Sequence, residues 1–352
     1  MDHLIVDALR DLLSDQCTPA AVRAIENEVT EYVATVATAP NTQKTISAAA
    51  LWKQIEGTGF ADLLLPESAG GAGLDLRNAF TVWDVLGQYA MPLPLAETML
   101  ARAWLQAAGV AVPQGAIALA PHLTGASDKV NAAGVRGARV ADWVLAQHGA
   151  DLVLLPLADA ELNPSIFVLD ADVQWSADAL AQATRFASPA SLLVAQAAVV
   201  SALLAGSLLT TFEKTLNFAN ERQQFGRPIG KFQAIQHELA VMAEHVSAAR
   251  MAAQIACEAD GLLADPLKTA VGKARTSEAA VEVASLAHSI HGAIGFTTEF
   301  DLQLFTRRLH LWRQTAHSES YWQLQAGQAL VAAGGMSLDV IRQITDPAAT
   351  TA

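Results

Sequence analysis

Charge and cysteine are both scarce in this sequence. Only 16% of its 352 residues are charged, and the balance is acidic, −13 at neutral pH. Nucleic acid and anionic lipid are therefore poor partners, because both need a basic face. The two cysteines, Cys17 and Cys257, lie far apart and without metal-type spacing, which argues against a disulfide framework and a zinc site. There are three tyrosines and a wealth of Ala and Leu, a composition that favours helices over a β-sandwich. No uninterrupted apolar run reaches the ~18 residues of a membrane span. The longest apolar tract, Ala187 to Leu209, is broken by Ser188, Pro189, Ser191, Gln196, Ser201 and Ser207, and reads as a buried bundle helix. The opening stretch, Met1 to Asp7, has no basic n-region, so a cytoplasmic location is expected.

What the chain does have is helical periodicity at both ends and a different texture between them. Residues 1–114 read as a helical domain. Leu4, Leu9, Leu12 and Leu13 form one stripe; Thr18-Pro19 opens a helix from Ala20 to Ala37; Ile46 to Ile55, Leu76 to Leu86 and Met99 to Ala108 follow. Residues 115–187 read as a small β domain, with short runs at Ile117 to Ala120, Val140 to Gln147, Leu152 to Leu157 and Ile166 to Leu169. Its length leaves room for about six strands. Residues 188–352 read as a four-helix bundle. Its third helix starts at Pro266 with Leu267, Val271, Ala274, Val281 and Leu286 inward, and its fourth runs from Leu302 to Ala333, stopped by Gly334-Gly335. The tail from Asp346 has the composition of a frayed end.

The most informative stretch is the polar link between the first two bundle helices, Asn220 to Ala240. Gly226, Pro228 and Gly230 mark a helix–loop–helix connection. Arg222, Arg227 and Lys231 bracket one ring, Phe225, and one amide, Gln233. Guanidinium forks match phosphate oxygens, and a ring beside an amide suits a nucleotide. A solvated turn with a capping arginine would use the same residue types.

Arg222-x-x-Phe225-Gly226 with Phe232-Gln233-Ala234-Ile235-Gln236 resembles the signature of the flavin-dependent acyl-CoA dehydrogenases. Two other stretches agree in order: Gly57-x-Gly59-Phe60 through Gly73-Leu74, and His291-Gly292-Ala293-Ile294-Gly295-Phe296 with Arg307 beyond. The resemblance covers most of the chain. It implies a mostly α fold with a reduced, β-barrel-like middle domain, FAD as cofactor, an acyl-CoA thioester as substrate, a tetramer, and an electron-accepting flavoprotein. It further implies that Arg222, Phe225 and Gln233, with Ser289 and Gly292 from the second loop, contact the ADP part of a neighbouring subunit's FAD. Ser289 stands where that loop often has Gln.

Two departures accompany the resemblance. The family's flavin-ring segments have no match in residues 115–187; Thr124 to Asp128 is a faint echo, and Ala141 to Leu145 resembles a strand beyond them. The reaction also needs a carboxylate of raised pKa on the proton alpha to the thioester. The family's two base positions fall, by gap-free counting, on Ala316 and on Gln196. Glu319 and His317 lie close to the first. Arg307-Arg308 replaces an Arg-Asp pair. No catalytic residue is assigned. The expectation is a base-lacking subunit that clasps a partner's FAD within a two-component acyl-CoA dehydrogenase. Two alternatives stay open: a self-sufficient homotetramer with a displaced base such as Glu319, and a structural subunit without flavin.

Overall fold

The computed structural model describes residues 2–35, 46–126, 129–259, 261–334 and 337–345. Ala37, Ser127, Asp128, Gly335 and the tail from Asp346 lie outside them. Five helices come first: α1 (Asp2–Gln16), α2 (Pro19–Thr35), α3 (Ile46–Gly57), α4 (Leu76–Gln88) and α5 (Leu95–Ala107). Thr18 caps α2 by accepting from the Ala21 N–H at 3.2 Å. Leu9 and Leu13 of the first stripe are buried, but Leu4 points to solvent. The last of these helices starts at Leu95, a turn earlier than Met99, because Pro94 fixes φ where the helix begins.

The middle region contains more strand than its short apolar runs announced. Eight strands form two four-stranded sheets: β1 (Ile117–Ala120), β2 (Thr124–Ala126), β3 (Lys129–Val135), β4 (Trp143–His148), β5 (Asp151–Pro156), β6 (Glu161–Pro164), β7 (Ala171–Ser176) and, after helix α6 (Ala177–Gln182), β8 (Thr184–Ala187). One sheet runs β1-β4-β5-β8, with β1 parallel to β4; the other runs β2-β3-β7-β6, antiparallel throughout. Ile166 to Leu169, expected as a strand, is a turn. Phe167 and Leu169 are buried and Ile166 is exposed, but the Asp170 N–H donates to the Phe167 carbonyl at 3.0 Å, which closes a turn instead of a strand pairing. The register of β3 against β7 slips between Ala132 and Val135, where Gly134 takes φ +57°.

The C-terminal helices are α7 (Leu192–Glu221), α8 (Gln233–Ala256), α9 (Pro266–His291), α10 (Leu302–Trp312), α11 (Glu319–Ala333) and α12 (Ser337–Thr345). A two-strand hairpin, β9 (Gln223–Gln224) and β10 (Arg227–Pro228), separates the first two. The apolar tract expected as a core helix is α7, long and apolar enough to cross a membrane but mostly buried inside the fold. Helix α9 buries Ala270, Gly272, Ala274, Ala279 and Ala280, while Val271, Val281 and Leu286 are only half-buried. It is wedged between neighbours, and a Cβ on Gly272 would stand 2.5 Å from the Ala252 carbonyl oxygen. Close approach of backbones therefore selects small residues over the branched ones that periodicity singled out. The expected fourth helix is two helices, since the chain breaks at residues 313–318.

Ion pairs, buried at Arg136–Glu97 and Arg308–Glu26 and partly exposed at Arg307, tie the regions together. Arg136, after β3, pairs with Glu97 of α5, and neither is solvated. Arg307 and Arg308 of α10 both pair with Glu26 of α2, at 2.5 and 2.9 Å. The Arg-Arg sequence thus retains an ion pair, with Glu26 as the acid. Breaking such a pair costs more than forming it gains, because one charge stays behind in low dielectric.

Candidate nucleotide clasp and cavity

One candidate site lies at an end of the bundle. Arg222 leaves the α7 helix in extended conformation, its N–H still donating to the Phe218 carbonyl at 2.8 Å. The hairpin follows at once, with Arg227 opposite Gln224 and Pro228 opposite Gln223. Its two turn residues, Phe225 and Gly226, have φ of 52° and 80°. That is the left-handed pair a two-residue hairpin requires, easy for Gly and costly for Phe. The strained turn holds the Phe225 ring 92% exposed. Its edge faces Phe232 at 6.2 Å between centroids, and the Arg227 guanidinium lies 4.2 Å over the Phe232 ring. Arg222, Lys231 and Gln233 are exposed around it. Gln233 begins α8, whose N-terminus has no side-chain cap, leaving free N–H groups of the kind that bind anions.

The second loop arrives at the same end because α9 runs antiparallel to α8. Phe218 stacks on His291 at 4.3 Å, and the Ser289 hydroxyl donates to Glu238 Oε1 at 3.3 Å. Gly292 is exposed, with φ +64°. So Arg222, Phe225, Gln233, Ser289 and Gly292 gather from three helix ends. Ser289 stands beside a carboxylate, a setting that suits a hydroxyl or amino donor rather than a phosphate. Glu238, which sequence reasoning missed, has its second oxygen buried without a hydrogen-bond partner among the described residues. Only the antiparallel packing brings it there.

The second candidate is a cavity of about 380 Å³ between the β domain and the bundle. Gln196 of α7, and Ala316 and His317 of the α10–α11 break, share its wall with His122, Gly134 and Asp170. The two positions reached by counting are therefore neighbours in space, and neither is ionisable. The Gln196 amide donates to the Leu119 carbonyl at 3.2 Å. His122 and His317 meet at 5.8 Å between ring centroids. Burial, reinforced by His122 and Lys273, holds the His317 imidazole below its ordinary value. Glu319 is not among the lining residues; its Oε1 accepts from Arg313 at 2.8 Å. The carboxylate that does line the cavity is Asp170. Burial pushes it up to about 6, against the Gly137 N–H it accepts at 2.9 Å and the charges of Arg136 and Arg308. No periodicity marked Asp170, which sits in a turn between strands. Among the described residues, no group of His, Cys, Asp and Glu is arranged to hold a metal ion.

Comparison with known proteins decides the family. Acyl-CoA dehydrogenase IpdE2 of Mycolicibacterium smegmatis is 30% identical over 314 residues, covering 88% of this chain and 92% of that protein. The chain belongs to the acyl-CoA dehydrogenase family. The family model described as Acyl-CoA dehydrogenase, C-terminal domain matches residues 186–315 of this acyl-CoA dehydrogenase. The fold is also that of the ChsE4–ChsE5 complex from Mycobacterium tuberculosis, with a TM-score of 0.78 at 18% identity over 94% of this chain and 97% of that one. A steroid ACAD, Tcur3481–Tcur3483, superposes with a TM-score of 0.73 at 23% identity, over 95% of this chain and 99% of that one. At these identities the likeness is one of fold. The enzyme is thus an acyl-CoA dehydrogenase, mostly α, with a small β region.

Proposed function

We propose that this chain is the subunit of a two-component acyl-CoA dehydrogenase that clasps its partner's FAD and leaves the base to the partner. One observation carries the reading: Gln196 and Ala316, at the two base positions, line one cavity and cannot take a proton. The clasp residues fit the ADP part of FAD. Arg222, Arg227 and Lys231 suit the pyrophosphate, the exposed Phe225 ring suits a flat or apolar surface, and Glu238 with Ser289 suits nucleoside hydroxyls. When bound, FAD supplies a hydride acceptor for the beta carbon of the acyl thioester. This chain's own part is to fix the nucleotide and close its site from water. The likeness to ChsE4–ChsE5 and to a steroid ACAD supports a complex of unlike subunits, and a steroid-derived acyl-CoA is the first substrate to try. A cytoplasmic site and an external electron-accepting flavoprotein belong to the same proposal.

The test is flavin content and particle mass of the chain, alone and co-expressed with a full-length homologous subunit. A colourless chain that forms a yellow complex with flavin in half its subunits supports the reading, and Arg222→Ala should then strip that flavin. A yellow homotetramer, fully loaded alone, overturns it. Asp170 favours that second reading, a self-sufficient enzyme, because a half-buried carboxylate titrating near 6 is the kind of group proton abstraction needs. Asp170→Asn would then abolish turnover while flavin stays bound.

A further inference from the structure

The break between α10 and α11 is held in place by specific side-chain donors. Ala316 and His317 are consecutive non-glycine residues with φ of 55° and 68°. Such a pair persists only where surrounding groups over-determine it. Trp322 Nε1 donates to the Ala316 carbonyl at 2.6 Å. Lys273 Nζ, wholly buried within α9, donates to the carbonyls of Arg313 at 2.9 Å and His317 at 3.0 Å, and to Ser277 Oγ at 2.7 Å. One amine thus ties both ends of the break to the centre of the bundle, and the tied segment forms the cavity wall.

We propose that Lys273 is a positioning residue for the cavity wall: through the Arg313 and His317 carbonyls it holds the left-handed turn that sets the His317 ring beside His122. The assignment stands whichever subunit supplies the base. The charged groups around the amine are few. From the break come Arg313 and His317, and from α11 comes Glu319, itself paired to Arg313. Burial dominates and brings the amine down to about 7; Glu319 opposes this and Arg313 adds to it. The neutral form fits the same cage. Its two N–H groups satisfy the two carbonyls, and its lone pair accepts the Ser277 O–H. The turn is therefore held on both sides of the titration, while the charge behind His317 disappears as pH rises through about 7.

The full-length chain, with lysine Cε and histidine rings labelled with ¹³C, tests this by NMR titration. The expected result is one lysine titrating near neutrality, against about 10.4 for ordinary lysines, and absent from Lys273→Met. The His317 resonance, assigned by its loss in His317→Gln, should show an inflection at the same pH and should move in Lys273→Met. A buried lysine with a merely structural role would leave the His317 resonance unmoved. An unmoved His317 signal in folded Lys273→Met overturns the proposal. If that variant does not fold, Lys273→Gln decides, and a His317 resonance unmoved in that variant overturns the proposal equally.

Discussion

Phe225→Ala separates a clasp from a folding determinant. In this chain the ring is 92% exposed, edge-on to Phe232 at 6.2 Å between centroids, so its loss should change the stability of the chain alone by less than about 0.5 kcal/mol. If the ring is covered by a partner's nucleotide, the same substitution removes its burial there. Fully burying a Phe side chain is worth about 1.5–3 kcal/mol. At about 1.4 kcal/mol per decade, that is a roughly ten- to hundredfold weaker grip on flavin. The assay pairs a urea unfolding curve on the isolated chain with flavin release from the assembled enzyme, read as recovered flavin fluorescence. Unchanged flavin affinity refutes the clasp. A loss above about 1 kcal/mol in the isolated chain would show instead that the ring serves the fold.

Three further outcomes follow from particular contacts. Gly206→Ala places a Cβ 1.8 Å from the Asp84 carbonyl oxygen where α4 crosses α7, and should cost about 3 kcal/mol in urea unfolding. Gly327→Ala, on α11 with open space around it, should gain roughly 0.5–1 kcal/mol by the same measurement. Glu319→Gln should weaken the fold by up to about 1 kcal/mol through its partner Arg313, and leave kcat/KM of the assembled enzyme unchanged, because Glu319 does not line the cavity. Asp170 is raised from 3.8 to about 6 in the folded state, so the folded chain holds the extra proton between those values. Stability should therefore fall, on the order of 2 kcal/mol, as pH rises from 4 to 6, and Asp170→Asn should flatten that slope in pH-dependent unfolding curves.

The sequence by itself determined what local chemistry can specify. Gly226, Pro228 and Gly230 marked the link between α7 and α8 as a loop; that it closes as a hairpin on two left-handed residues, Phe225 and Gly226, came from the structure. The cations around it are fixed by spacing along a dozen residues. The bundle helices were legible for different reasons: α7 is a long apolar tract buried on every side from Ala195 to Leu208, and α8 buries a periodic face through Leu239, Met242, Val246 and Ala249. Tertiary structure decided the rest. Residues 302–333 keep a helical pattern, yet the chain breaks at Ala316 because Lys273 and Trp322 supply donors that an unbroken helix would leave unmet. Lys273 lies 40 residues from Arg313 in sequence, beyond the reach of any window. The cavity was invisible for the same reason: His122, Asp170, Gln196 and His317 meet only after β1 pairs with β4 and α7 packs behind them. Backbone spacing writes a turn or an amphipathic face into neighbouring residues. A cavity wall is written into residues whose only common property is the place to which the fold carries them.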